Sequence, residues 1–162
     1  MKNNISGKIY YSFDDFFETL KAWKTSNFKL VFTNGCFDLL HRGHVDSLLK
    51  SAEFGDRLIV GLNTDQSVKR LKGAKRPLMD QESRALLIAA LQMVDAVILF
   101  NEETPYDLIR AVQPDVLVKG NEYAIEEIAG YDIVLARGGT VETIELTKGF
   151  SSSALIEKIK KL

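Results

Sequence analysis

The sequence is poor in the residues that build metal and disulfide frameworks. It holds one cysteine, Cys36, and two histidines, His41 and His44, among 162 residues. A single thiol excludes any disulfide within the chain, and one cysteine with two histidines leaves a structural zinc site short of ligands. Prolines number three, Pro77, Pro105 and Pro114. No glycine- or serine-rich spacer separates one part of the chain from another, so the expectation is a single domain over 1–162, with 1–27 as a helical N-terminal extension and 28–162 as the core. Apolar runs are short. None approaches the length of about 18 residues that spans a membrane, and the first ten residues lack the apolar stretch of a signal peptide. The expected setting is therefore cytoplasmic, with no membrane partner. An excess of one charge is also missing. Lys and Arg total 21 against 22 Asp and Glu, a net charge of −1, which argues against a nucleic-acid-binding surface.

What is present is an ordinary globular composition, 46% hydrophobic and 27% charged. Periodicity predicts helices over 12–25 (with Ser12 as N-cap), 43–54 (stopped by Gly55), 81–92, 105–112, 133–136 and 151–161 (capped by Ser151 or Ser152). Apolar runs predict strands over 28–33, 57–62, 94–100, 115–118 and 140–146. Strands that are apolar throughout and alternate with helices indicate an α/β, Rossmann-like open parallel sheet with helices on both faces. Ligands bind such sheets beyond the carboxyl ends of the strands. That rule selects 33–44, 63–77, 119–123 and 147–153.

The first of these segments reads Thr33-Asn-Gly-Cys-Phe-Asp-Leu-Leu-His-Arg-Gly-His44. Gly35 permits a sharp turn or a close backbone approach. His41 and His44, with Gly43 between them, put both imidazoles of the chain at a helix start, beside free N–H groups and the positive end of the helix dipole. This is the composition of a phosphate site. Helix capping and zinc binding are the competing readings of such a pair. The second segment carries Lys69, Arg70, Lys72, Lys75 and Arg76 within eight residues, and no carboxylate lies between Gln66 and Met79. With Gly73 inside it, the expectation is a flexible cationic loop that closes over phosphates; a solvated charged face is the plainer reading.

The turn T-N-G-C-F-D-L-L-H-R-G-H resembles the signature of the nucleotidyltransferase superfamily with the H-x-G-H motif, in its cytidylyltransferase-like branch. The likeness continues through G-D-R-L-I-V-G-L-N-T-D (55–65), R-L-K-G-A-K-R-P-L (70–78), V-K-G-N-E-Y (118–123), E-E-I-A-G (126–130) and S-S-S-A-L-I (151–156), covering about residues 29–160 and leaving 1–27 outside. The L-K-G-x-x-R-P and L-V-K-G-x-x-Y elements tilt it toward members that adenylylate heptose 1-phosphate for cell-envelope polysaccharide. The resemblance implies attack by a sugar 1-phosphate oxygen on the α-phosphate of ATP, releasing pyrophosphate, with Mg²⁺ accompanying ATP. It makes a homodimer plausible.

By the same resemblance His44, His41 and Lys72 are the expected catalytic groups. Nucleotide contacts are implied for Thr33, Asn34, Gly35, Cys36, Phe37, His41, Gly43 and His44, for Lys119, Gly120 and Asn121, and for Ser151, Ser152 and Ser153. Asp38, Lys72, Arg76 and Arg84 are the expected acceptor-binding residues. No metal ligand is identified. Taken as residues alone, Asp38 reads equally as a turn cap, Arg84 as an intrahelical partner of Asp80, the serines as an N-cap, and the Cys36 side chain as packing. One position departs from the pattern: where cytidylyltransferase relatives carry an Arg before the serine cluster, this chain has Leu146. That weakens a glycerol-3-phosphate cytidylyltransferase reading, which stays as the alternative. A non-catalytic nucleotide-binding module is the alternative of another class. Absence of K-M-S-K-S and of G-x-G-x-x-G after the first strand argues against a tRNA-synthetase fragment and a dinucleotide oxidoreductase.

Overall fold

The computed structural model describes residues 4–162, so Met1–Asn3 of the N-terminal reading lie outside the described residues. Six strands form one parallel sheet: β1 (Ile9–Tyr10), β2 (Leu30–Gly35), β3 (Arg57–Asn63), β4 (Ala96–Phe100), β5 (Val116–Gly120) and β6 (Thr140–Ile144), in the order β1-β4-β3-β2-β5-β6. The helices are α1 (Phe13–Thr25), α2 (Arg42–Ala52), α3 (Asp65–Lys72), α4 (Gln81–Ala89), α5 (Tyr106–Val112), α6 (Tyr131–Ala136) and α7 (Ser152–Lys160). This is the expected doubly covered sheet. The chain runs outward from β2 through β3 to β4, then returns to place β5 on the other side of β2. The β2–β5 boundary is therefore the switch point at which such sheets open a crevice.

Alternation along each strand explains the two layers of core. Leu30, Phe32, Ile59, Ile98 and Leu117 face one side, where Phe16 and Leu20 of α1 and Ile109 and Val112 of α5 cover them. Val31, Leu58, Val60, Leu62, Val97 and Val118 face the other, against Leu48 of α2 and Ala85 and Ile88 of α4.

Three readings change. Residues 4–27 are not only helical: Ile9 and Tyr10 pair with Val97 and Ile98 as an edge strand, and Phe16 is fully buried. Two paired residues are too few to show a period of two. The helix after β2 ends at Ala52 with Glu53 as its cap, so Gly55 does not stop it. Gly55 instead lies against Lys29, whose carbonyl oxygen would sit 2.6 Å from a Cβ added there. The segment 63–77 is not a free loop. Thr64 accepts the Ser67 amide and starts α3, Ser67 and Val68 are buried, and Gly73 at φ +98° ends the helix. Three of the five cations, Lys69, Arg70 and Lys72, therefore sit on a helix.

Candidate active site

The carboxyl ends of β2 and β5 open into a cleft of about 550 Å³. Segments distant in sequence line it, among them the four that follow. The turn after β2 supplies Asn34, Gly35, Cys36, Phe37, Asp38, His41, Gly43 and His44; α3 and the residues after it supply Lys72 and Arg76; β5 supplies Lys119; the start of α7 supplies Ser151, Ser152 and Ser153. Thr33 and Gly120 line a side chamber of about 220 Å³ that shares Asn34–Phe37, His44 and Lys119 with the main cleft. Asn121 and Arg84 line neither.

The turn from β2 to α2 is held in an unusual backbone. Phe37 and Leu39 both adopt positive φ, 47° and 53°. A non-glycine residue there costs on the order of 1–3 kcal/mol, a cost that surrounding contacts must offset. Two contacts do so. The Ser152 hydroxyl of α7 donates to the carbonyl oxygens of Asp38 and Leu39. Asp38, its carboxylate almost fully buried, accepts from Arg76 Nε at 2.7 Å, Leu78 N at 2.9 Å and Met79 N at 3.0 Å. Burial alone would raise the Asp38 carboxyl; the two amides and the guanidinium outweigh it and hold it below the ordinary range. Asp38 thus ties 76–79 to the turn, and both carboxylate oxygens are engaged by the chain itself. Asp38 lines the cleft with its carboxylate already engaged within the chain, and Arg76 reaches the cleft while paired to it.

The two histidines stack, with ring centroids 3.7 Å apart and an interplanar angle of 22°. The backbone N–H of His41 donates to His44 Nδ1 at 3.4 Å, which leaves the proton of a neutral ring on Nε2. Burial, reinforced by the neighbouring His41, pushes the His44 imidazolium down to about 4. Burial lowers His41 as well. His41 Nδ1 is buried without a hydrogen-bond partner among the described residues. Gly43 sits in a tight space: an added Cβ would lie 3.0 Å from the His41 ring and 3.1 Å from Phe150 Cβ, so these neighbours would have to shift.

Positive charge surrounds this pair. Lys119 Nζ donates to Asn34 O at 3.2 Å and lies 5.8 Å from the centre of the Tyr123 ring; burial lowers its affinity for the proton. Burial pushes the Cys36 thiol up although Lys72, Arg84, Lys119 and Arg76 act in the opposite direction. A thiol held protonated is a wall rather than a nucleophile.

Arg84 is 1% exposed and lies under the floor of the cleft. Its Nε donates to Met79 O, Nη1 to Cys36 O and Asn63 O, and Nη2 to Asp65 Oδ1, all between 2.7 and 3.0 Å. It lines neither cavity, and its acidic partner is Asp65 rather than Asp80, which corrects the intrahelical reading. Sequence reasoning also passed over cleft residues far from the histidine motif, among them Leu71, Glu103, Thr147 and Phe150. Only Phe150 carried a signal, as an aromatic beside the serine cluster.

A two-sided parallel sheet with helix starts and cations gathered at its switch point is the build of a nucleotide-handling α/β protein. The chain belongs to the cytidylyltransferase-like family, whose model matches residues 32–158, and is a nucleotidyltransferase. Among curated proteins it is similar to the bifunctional protein HldE of Nitrobacter hamburgensis, 48% identical over 151 residues, 93% of this chain and 31% of that one. It is also similar to the HldE of Wolinella succinogenes, 54% identical over 140 residues, 86% of this chain and 29% of that one. The chain thus spans about a third of the length of these relatives. The longer match necessarily reaches into the first 27 residues, so the likeness is wider than the motifs suggest. Among solved structures, a lipopolysaccharide core biosynthesis protein from Thermoplasma volcanium shares 32% identity at a TM-score of 0.61, covering 76% of this chain and 99% of that one. No helix among the described residues is long and apolar enough to cross a membrane.

Proposed function

We propose that the protein transfers AMP from ATP to heptose 1-phosphate, giving ADP-heptose and pyrophosphate for cell-envelope polysaccharide synthesis. One observation carries the reading. The stacked His41–His44 pair shares a cleft with Lys72, Lys119 and the Ser151–Ser153 helix start, a set suited to a triphosphate and a second phosphate. The similarity to bifunctional heptose enzymes supports the choice of acceptor. Phosphoryl-centre chemistry of this kind needs positioning and charge stabilisation rather than a protein nucleophile. In this reading His44 donates its Nε2–H to the α-phosphate as charge develops there, His41 and the serines hold the triphosphate, and Lys72 neutralises the acceptor phosphate. Phe37–Asp38 and Arg84 keep the turn in register. No three metal-ligating side chains converge among the described residues. Mg²⁺ would be held by the triphosphate and water, with the cations of the cleft around it. A cytoplasmic setting supplies ATP, and a homodimer is the assembly proposed.

The test is pyrophosphate release with ATP, CTP, GTP and UTP crossed against heptose 1-phosphate, glycerol 3-phosphate and phosphoethanolamine. The expected result is turnover with ATP and heptose 1-phosphate alone. Preference for CTP and glycerol 3-phosphate would overturn the reading, and silence with every pair would favour a binding module.

A further inference from the structure

We infer that Glu122 selects an amino-bearing base, acting as the acceptor for the exocyclic amine of the nucleotide; the inference deepens the proposed adenylyl transfer and rests on it for the identity of the base. The phosphate-type groups fix one end of the nucleotide. Lys72 and the helix start of α7 lie on the main cleft alone, whereas the start of α2 borders both spaces through His44, so we place the nucleoside in the side chamber at the ends of β5 and β6.

That chamber has apolar walls in Leu48, Ile144 and Leu146, suited to the faces of a heterocycle. Most of its polar groups are already committed. Thr33 Oγ1 donates to Val118 O, Ser47 Oγ to Gly43 O, Ser51 Oγ to Ser47 O, and Lys119 Nζ to Asn34 O. Glu122 is the one carboxylate among the lining residues; the residue is solvent-exposed and borders both the chamber and the main cleft, no side-chain hydrogen bond or close ion pair engages it among the described residues, and its charge acts on the neighbouring Lys119. Its side chain is folded back under the end of β5: a Cβ at Gly120 would lie 2.5 Å from Glu122 Oε2 and 3.1 Å from Leu146 Cδ1. Glycine at 120 therefore lets the carboxylate enter the chamber. An ionised carboxylate only accepts hydrogen bonds. It matches the 6-amino group of adenine and meets a 6-keto oxygen with repulsion.

The experiment compares kcat/KM for ATP, ITP and the triphosphate of 6-unsubstituted purine riboside in the wild type, Glu122→Ala and Glu122→Gln. We expect the wild type to prefer ATP over both analogues by about tenfold or more, the scale of one charge-assisted hydrogen bond. Glu122→Ala should lower ATP through KM, spare the unsubstituted purine and bring that ratio near one. Glu122→Gln, whose amide can donate to a keto oxygen, should narrow the ATP/ITP ratio by raising ITP. Equal losses for all three nucleotides, or unchanged ratios, would overturn the inference while leaving adenylyl transfer intact. If the wild type used CTP instead, the adenylyl reading would fail separately. The same variants would then be compared on CTP and UTP, where loss of the amino-over-keto preference supports Glu122 and its retention overturns it.

Discussion

The imidazoles of His41 and His44 lie face to face with centroids 3.7 Å apart, and the amide of His41 donates to Nδ1 of His44. Two rings this close resist taking a proton each, and the shared contact orients Nε2 of His44 as the donor. The pair works as one unit, built by a helix start rather than by two independent residues.

Replacing His44 by Ala removes one preorganised donor from the cleft. The expected loss in kcat is on the order of 10²-fold or more, while ATP binding, measured by calorimetry without acceptor, persists. Wild-type turnover in this variant would remove His44 from the chemistry.

The lowered His44 imidazolium has a stability consequence. An unfolded chain protonates this histidine below about 6.5, whereas the folded protein resists the proton until about 4. Between those values the unfolded state binds more protons, so folding stability is full above the upper value and falls as pH drops toward the lower one. Thermal midpoints followed from pH 8 to 4.5 should fall more steeply for the wild type than for His44→Gln. Parallel curves would contradict the burial argument.

Arg84 joins four acceptors from three segments, and a lysine cannot reproduce its planar fork. Arg84→Lys should cost about 3 kcal/mol in urea denaturation, as expected when a buried charge network is broken. Unchanged stability with a raised KM would instead return Arg84 to a ligand-facing role.

Gly43→Ala inserts a methyl against the His41 ring and Phe150. Alanine favours a helix by about 1 kcal/mol over glycine, so the fold should hold. Displacement of His41 should nevertheless lower kcat/KM by about tenfold, since small misplacements at a reacting centre are costly. Loss of activity accompanied by unfolding would point to a packing role alone.

Much of this protein is legible in one dimension. Runs such as Leu30–Phe32 and Leu58–Val60 are apolar at every position because both faces of the sheet are covered, which marks a parallel α/β sheet. Placement of both histidines in one strand-to-helix turn locates the cleft by local geometry. Cations grouped after the second strand point to the same edge.

What the sequence could not convey are the contacts that cross it. Asp38, read as a ligand group, is taken up by Arg76, Leu78 and Met79, some forty residues away. Arg84 is drawn under the floor by the carbonyl just after β2 and one at the end of β3, and the cationic segment winds into α3 because Ser67 and Val68 find a core to enter. Periodicity and caps depend on neighbours within a few residues, and these determined the elements and the site's address. Which charged groups face the cleft and which spend their charge inside the fold depends on desolvation and on partners brought by packing, and only the tertiary structure decided that.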